Sequence, residues 1–202
     1  MMNGILALQG NVREHRLNLE RHGVQSRCIR NPLELDGIDG LILPGGESSA
    51  MRKLIESSGL REPVQDLIRQ GLPVWGTCAG VILLAVGGIW QSVDIEVQRN
   101  AYGSQVYSRT AKGRSIITDR EFSMVFIRAP RICSITVNAE ILAELDGDIV
   151  AVRCNNILLT TFHPELTEDS PFTEYFLTMV NDSDFSTSLL KPRAGQGKGN
   201  YI

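Results

Sequence analysis

No charge of one sign dominates this chain of 202 residues: 20 Lys and Arg stand against 23 Asp and Glu, a formal net charge of -3. So even a balance gives no overall attraction to nucleic acid, and no nucleic-acid partner is expected. No apolar run approaches the roughly 20 residues of a membrane-spanning helix, so a membrane protein is not expected either. The opening Met1-Met2-Asn3-Gly4-Ile5 shows neither a basic leader nor a signal-type cleavage site, which leads us to expect a cytoplasmic protein. Cysteine is sparse. Cys28, Cys78, Cys133 and Cys154 form no C-x-x-C pair and no Cys/His cluster with zinc spacing, which argues against a disulfide framework and a metal site. Four reduced thiols are expected, three as buried small hydrophobes and one with another role. No P-loop and no G-x-G-x-x-G fingerprint follows a strand pattern. No internal repeat occurs at periods of about 20–50 residues.

What is present reads as an ordinary globular chain, 43% hydrophobic and 21% charged. The apolar runs Ile5–Leu8, Gly40–Leu43 and Val74-Trp75 suit strands buried on both faces, and Val24–Ile29 is a further strand candidate. Between them lie helical patterns. Residues 12–22 end at Gly23, with His15 and His22 assigned to a solvated face. Met51, Leu54 and Ile55 follow Ser48 and Ser49 as candidate N-caps, and Leu60, Val64, Leu67 and Ile68 precede Gly71. Val81–Val86 is apolar all round, as a helix inside the core would be. This alternation predicts an α/β fold with a mostly parallel central sheet and helices on both faces. Short β-like segments at Val93–Val97, Gln105–Tyr107, Ser115–Thr118 and Met124–Ile127 predict a small antiparallel extension. Ile149–Val152 and Ile157–Thr161 predict a hairpin, and residues 171–180 a last helix. One domain is expected over residues 1–182. From Ser183 the apolar pattern collapses, so residues 183–202 are expected to form a flexible tail.

Three short segments carry chemistry. Gly76-Thr77-Cys78-Ala79-Gly80 lies between a strand and an apolar helix, the context of a nucleophile elbow. There a thiol stands at a helix N-terminus, which favours the thiolate, and the Ala79 N–H points toward a developing oxyanion. A buried Cys in an ordinary turn is the plainer alternative. Phe162-His163-Pro164-Glu165 follows an apolar strand, so it sits at the edge where open α/β sheets build sites. Residues two apart on an extended segment project to one side, so Glu165 is placed to hold the His163 ring. Pro44-Gly45-Gly46-Glu47-Ser48 brings backbone N–H groups close to a ligand, or serves as a plain loop capping the next helix.

The Cys of Gly-Thr-Cys-Ala-Gly followed by a distant His-Pro-Glu resembles the class I, triad-type glutamine amidotransferases. Leu8-Gln9-Gly10, Arg13-Glu14-His15, Pro44–Ser48, Arg99–Gly103, Phe126–Pro130 and Phe162–Thr167 narrow the likeness to the glutaminase subunits of pyridoxal 5′-phosphate synthase. It runs from about residue 3 to residue 181. The resemblance implies a flavodoxin-like sandwich in which Cys78, His163 and Glu165 are the triad. It implies an oxyanion hole of Gly46 and Ala79 N–H groups, and L-glutamine contacts from Gly46, Glu47, Ser48, Arg99, Ile127 and Arg128. It further implies that ammonia passes to a separate (β/α)8-barrel synthase subunit, with no cofactor or metal in this chain. Two other readings stay open: the glutaminase of another class I amidotransferase, such as imidazole glycerol phosphate synthase, and an inactive regulatory subunit. The stretch Ala85–Val97 is shorter than usual in this family, and Val106–Arg109 stands where Ser-Phe-Glu is usual.

Overall fold

A computed structural model describes residues 1–99, 101 and 108–185. Five strands run parallel: β1 (Met2–Leu6), β2 (Gln25–Ile29), β3 (Gly40–Leu43), β4 (Val74–Thr77) and β11 (Ile157–Thr160). Four more extend the same sheet antiparallel: β6 (Ser108–Ser115), β7 (Thr118–Ile127), β9 (Glu140–Leu145) and β10 (Asp148–Cys154). Among the described residues the order is β2-β1-β3-β4-β11-β10-β9-β6-β7, and β5 (Glu96–Gln98) pairs with β8 (Arg131–Ser134) apart from it. The α/β class, the parallel centre and the hairpin β10–β11 agree with the sequence reading.

The continuous apolar runs have a direct cause. β3, β4 and β11 are buried along their whole length. Their side chains alternate between two cores, as the pleat requires. Leu41, Val74 and Leu159 enter one core with residues of α2 (Ser48–Ser57), α3 (Arg61–Arg69) and α4 (Ala79–Leu84). Ile42, Trp75 and Leu158 enter the other with residues of α1 (Val12–Arg21) and α5 (Phe172–Asn181). Helices therefore cover both faces, and the helix at 79–84 is buried at every residue.

Several local expectations are corrected. Ser115–Thr118 is not a strand but the tip of the β6–β7 hairpin, where Ser115 pairs with Thr118. Its long strands are half-exposed and polar, so their alternation is weak. β9 escaped notice because its Glu, Leu and Ala residues carry helical propensity. Neither Ser48 nor Ser49 caps α2. Glu47 does, its carboxylate accepting from Ser49 N–H at 2.9 Å and Ala50 N–H at 2.6 Å. All four cysteines are free, but Cys78 alone is buried; Cys28 and Cys154 are half-buried and Cys133 is exposed. The strand expected at Gln105–Tyr107, and the tail from residue 186, lie outside the described residues.

The helix α1 brings the largest correction. His15 was expected on a solvated face, yet it is 1% exposed, and Asn18 beside it is buried too. The inward stripe of α1 carries polar groups whose partners lie on distant segments. Thr173 Oγ1 on α5 donates to Asn18 Oδ1 at 2.7 Å. His22 is half-buried, its Nδ1 2.8 Å from the Asn18 carbonyl oxygen.

Candidate active site

β4 and β11 lie side by side and parallel, with Thr77 opposite Thr160. The chain leaves both strands at the same edge of the sheet, so Cys78 and His163 emerge there together. Cys78 turns sharply at φ 49, ψ -102, a left-handed value costly for a side-chain-bearing residue, and α4 starts at the next residue. Its N–H donates to the Thr160 carbonyl at 2.8 Å, so β11 itself holds the elbow. Gly80 is required there: a Cβ would collide with the Leu43 carbonyl oxygen. The turn frees the N–H groups at the start of α4, Ala79 first among them, from intrahelical partners. Cys78 Sγ lies 3.6 Å from the Ile127 carbonyl oxygen at the end of β7.

His163 is fixed from three sides. Its N–H donates to the Val125 carbonyl of β7 at 2.8 Å. Its Nδ1 lies 2.7 Å from Glu165 Oε1. Gly45 packs against its ring so closely that a Cβ would overlap Cε1. The sequence reading placed Glu165 beside His163 through an extended segment; a 3-10 turn at Pro164–Leu166 does so instead. Glu165 and His163 are both buried. With Nδ1 donating to Glu165, Nε2 is left for chemistry, and it closes no hydrogen bond among the described residues. Burial is the largest influence on the imidazole and disfavours its charge. The Cys78 thiolate and Glu165 outweigh it and push its pKa up to about 10. Burial likewise disfavours charge on Glu165, but the histidines His15 and His163 and the Asn11 amide bring its pKa down to about 2. The arrangement favours an imidazolium beside the Cys78 sulfur, backed by an ionised carboxylate.

A cavity of about 610 Å³ opens over these groups. Cys78 and His163 line it, as do Gly46, Glu47, Ser48, Arg99, Ile127 and Arg128. Ala79 and Glu165 do not line it: Ala79 opens α4 beneath the thiol, and Glu165 stands behind the imidazole. Arg128 takes a positive φ of 48, which turns the chain at the cavity wall. Glu47 is kept below the ordinary carboxylate range, first by the backbone N–H groups of Ser49 and Ala50 and in smaller part by Arg99. Gln9, Asn11, Ser49 and Ile82 also line the cavity, and none was assigned to the site from sequence. Gln9 Oε1 accepts from Glu47 N–H at 2.9 Å, tying the loop after β1 to the loop after β3. Asn11, a side chain of N-cap type before α1, makes no capping bond. Among the described residues no group of three or more His, Cys, Asp or Glu is placed to hold a metal ion. No helix among them is long and apolar enough to cross a membrane.

Known proteins share this frame. The chain is 44% identical over 186 residues to the pyridoxal 5′-phosphate synthase subunit PdxT of Thermosipho africanus, covering 89% of this chain and 99% of that protein. It is 46% identical over 187 residues to the PdxT subunit of Thermotoga maritima, covering 89% of this chain and 100% of the relative. A crystal structure described as a glutamine amidotransferase superposes with a TM-score of 0.81 at 37% identity, over 89% of this chain and 98% of that one. The model of the SNO glutamine amidotransferase family matches residues 5–182, and with these relatives it places the chain in that family.

Proposed function

We propose that the chain is the glutaminase subunit of a pyridoxal 5′-phosphate synthase. It hydrolyses L-glutamine to L-glutamate and ammonia in the cytoplasm and delivers the ammonia to a (β/α)8-barrel synthase subunit. The observation that carries this reading is the meeting of Cys78 and His163 at one cavity, with Glu165 behind the imidazole, in a chain whose relatives are named as subunits of that synthase.

The Cys78 thiolate attacks the side-chain amide carbon of glutamine, and the carbonyl oxygen becomes an oxyanion. Backbone N–H groups of Gly46 and Ala79 receive that charge. The imidazolium of His163 gives its Nε2 proton to the departing nitrogen, and ammonia leaves a thioester on Cys78. A water then gives a proton to His163 Nε2 as it attacks the thioester. Glutamate departs, and the thiolate–imidazolium pair is restored. Glu165 holds the ring and balances its charge throughout without accepting the proton. Arg99 and Arg128 offer cations to the substrate α-carboxylate, Glu47 an anion to its α-ammonium, and Ser48 and Ile127 complete the glutamine pocket.

Glutamate release from glutamine, measured with the barrel subunit present, tests this. The native chain releases glutamate, and Cys78→Ala falls to the uncatalysed background with its circular dichroism unchanged. Equal, slow release by the two chains would refute the proposal.

A further inference from the structure

Glu165 is a carboxylate without solvent, its side chain 0% exposed. Such a group needs donors on both oxygens. Oε1 has two: His163 Nδ1 at 2.7 Å and Asn11 Nδ2 at 3.0 Å. Oε2 closes no hydrogen bond among the described residues, but His15 Nε2 stands 3.5 Å from it. The same Nε2 lies 3.2 Å from Thr77 Oγ1. A proton on Nε2 faces two oxygens, whereas a lone pair there would face an anion. The surroundings therefore select the Nε2–H tautomer.

The His15 ring is a neutral donor. Burial, the largest influence, lowers its pKa; Glu165 opposes this, His163 adds to it, and Glu14 on the same helix weakly opposes it. The titratable groups meeting around the carboxylate are thus His15 and Glu14 from α1, His163 from the loop after β11 and, across that ring, Cys78 after β4. Asn11 and His15 are four residues apart at the start of α1, so they share one helix face. Asn11 occupies the N-cap position yet makes no side-chain capping bond. Its amide points at Glu165 instead, and the helix end forgoes the local stability.

We propose that Asn11 and His15 are positioning residues that hold Glu165 ionised and aimed at His163, so that α1 sets the charge state of a triad to which it contributes no member. This rests on the glutaminase reading and deepens it. A buried carboxylate that loses a donor is a poorer counter-ion for the imidazolium. The thiolate–imidazolium pair then forms at higher pH, although neither Cys78 nor His163 nor Glu165 has itself changed.

The pH dependence of Cys78 alkylation by iodoacetamide reads that pair directly in the full chain. Mass spectrometry of the Cys78 peptide separates it from Cys28, Cys133 and Cys154. The native chain sets the reference midpoint. His15→Leu raises the midpoint by about one pH unit, about tenfold less thiolate at a given acidic pH. His15→Gln, whose amide nitrogen replaces Nε2, stays within about 0.3 unit of native, and Asn11→Ala moves upward by about half a unit. A His15→Leu midpoint at the native value, or equal shifts in the Leu and Gln variants, would overturn the proposal. Should His15→Leu not fold, an unmoved Asn11→Ala midpoint overturns it. No glutamate release by the native chain with the barrel subunit present would instead refute the glutaminase reading, and this inference with it.

Discussion

Gly45→Ala adds one methyl group between the two reacting side chains. Its Cβ would overlap His163 Cε1, come within 2.9 Å of Nδ1 and lie 3.3 Å from Cys78 Cβ. Ordinary contact needs roughly 3.5 Å or more, so the ring must retreat by on the order of 1 Å. It has no free direction. Nδ1 is held 2.7 Å from Glu165 Oε1, and the His163 N–H is bound to β7 at 2.8 Å. The retreat therefore lengthens the Glu165 bond or turns Nε2 away from the thiol. A misplacement of about 1 Å costs on the order of 10²-fold in rate, equivalent to about 2.7 kcal/mol in the barrier. Steady-state glutaminase kinetics with the barrel subunit present would show the loss in kcat rather than in KM. Thermal unfolding would move far less, since Gly45 lies in a loop at the edge of the sheet. A Gly45→Ala enzyme within threefold of native kcat, with an unchanged melting temperature, would show that His163 does not work from its position against Gly45.

Three further outcomes are expected. Cys78→Gly and Cys78→Ala are both inactive, but Gly accepts φ 49 without the penalty a Cβ brings there, so the Gly variant unfolds at the higher denaturant concentration, by about 1 kcal/mol; the reverse order in urea melts would contradict a strained elbow. Glu165→Gln keeps partial activity, because the amide still holds the ring although it balances no charge. Since folding lowers the Glu165 pKa from 4.5 to about 2, its ionisation stabilises the native chain above about pH 4.5 and ceases to do so as pH falls toward 2. The stability difference between native and Glu165→Gln chains should therefore shrink across that interval, and a constant difference in urea melts between pH 5 and pH 2.5 would refute the assignment.

Much of the sheet could be read along the chain because its cause is local. β3, β4 and β11 are covered on both faces, so every residue in them is buried and the run is continuously apolar. The antiparallel strands were harder. β6 is exposed along much of its length, and Ser115–Thr118 reads as β-like although it turns a hairpin. The site divides in the same way. Cys78 and the His163–Glu165 pair announce themselves through glycines and spacing. His15 and Asn11 do not, because a polar residue on a polar helix carries no sign that its partner is a carboxylate 150 or more positions away; Asn11 and Glu165 are separated by 154.

The sequence alone determined the nucleophile turn and the α/β alternation, since close-packed glycines and doubly buried strands leave marks on consecutive residues. It also carried the family likeness, through motifs spread from Leu8 to Thr167, within the residues 5–182 that the family model matches. Only the tertiary structure decided which groups stand around Glu165. That depends on β4 pairing with β11 in the register that sets Thr77 against Thr160, and on α1 packing its polar stripe across the result. Register and helix packing are properties of the closed core, and no stretch of chain read by itself contains them.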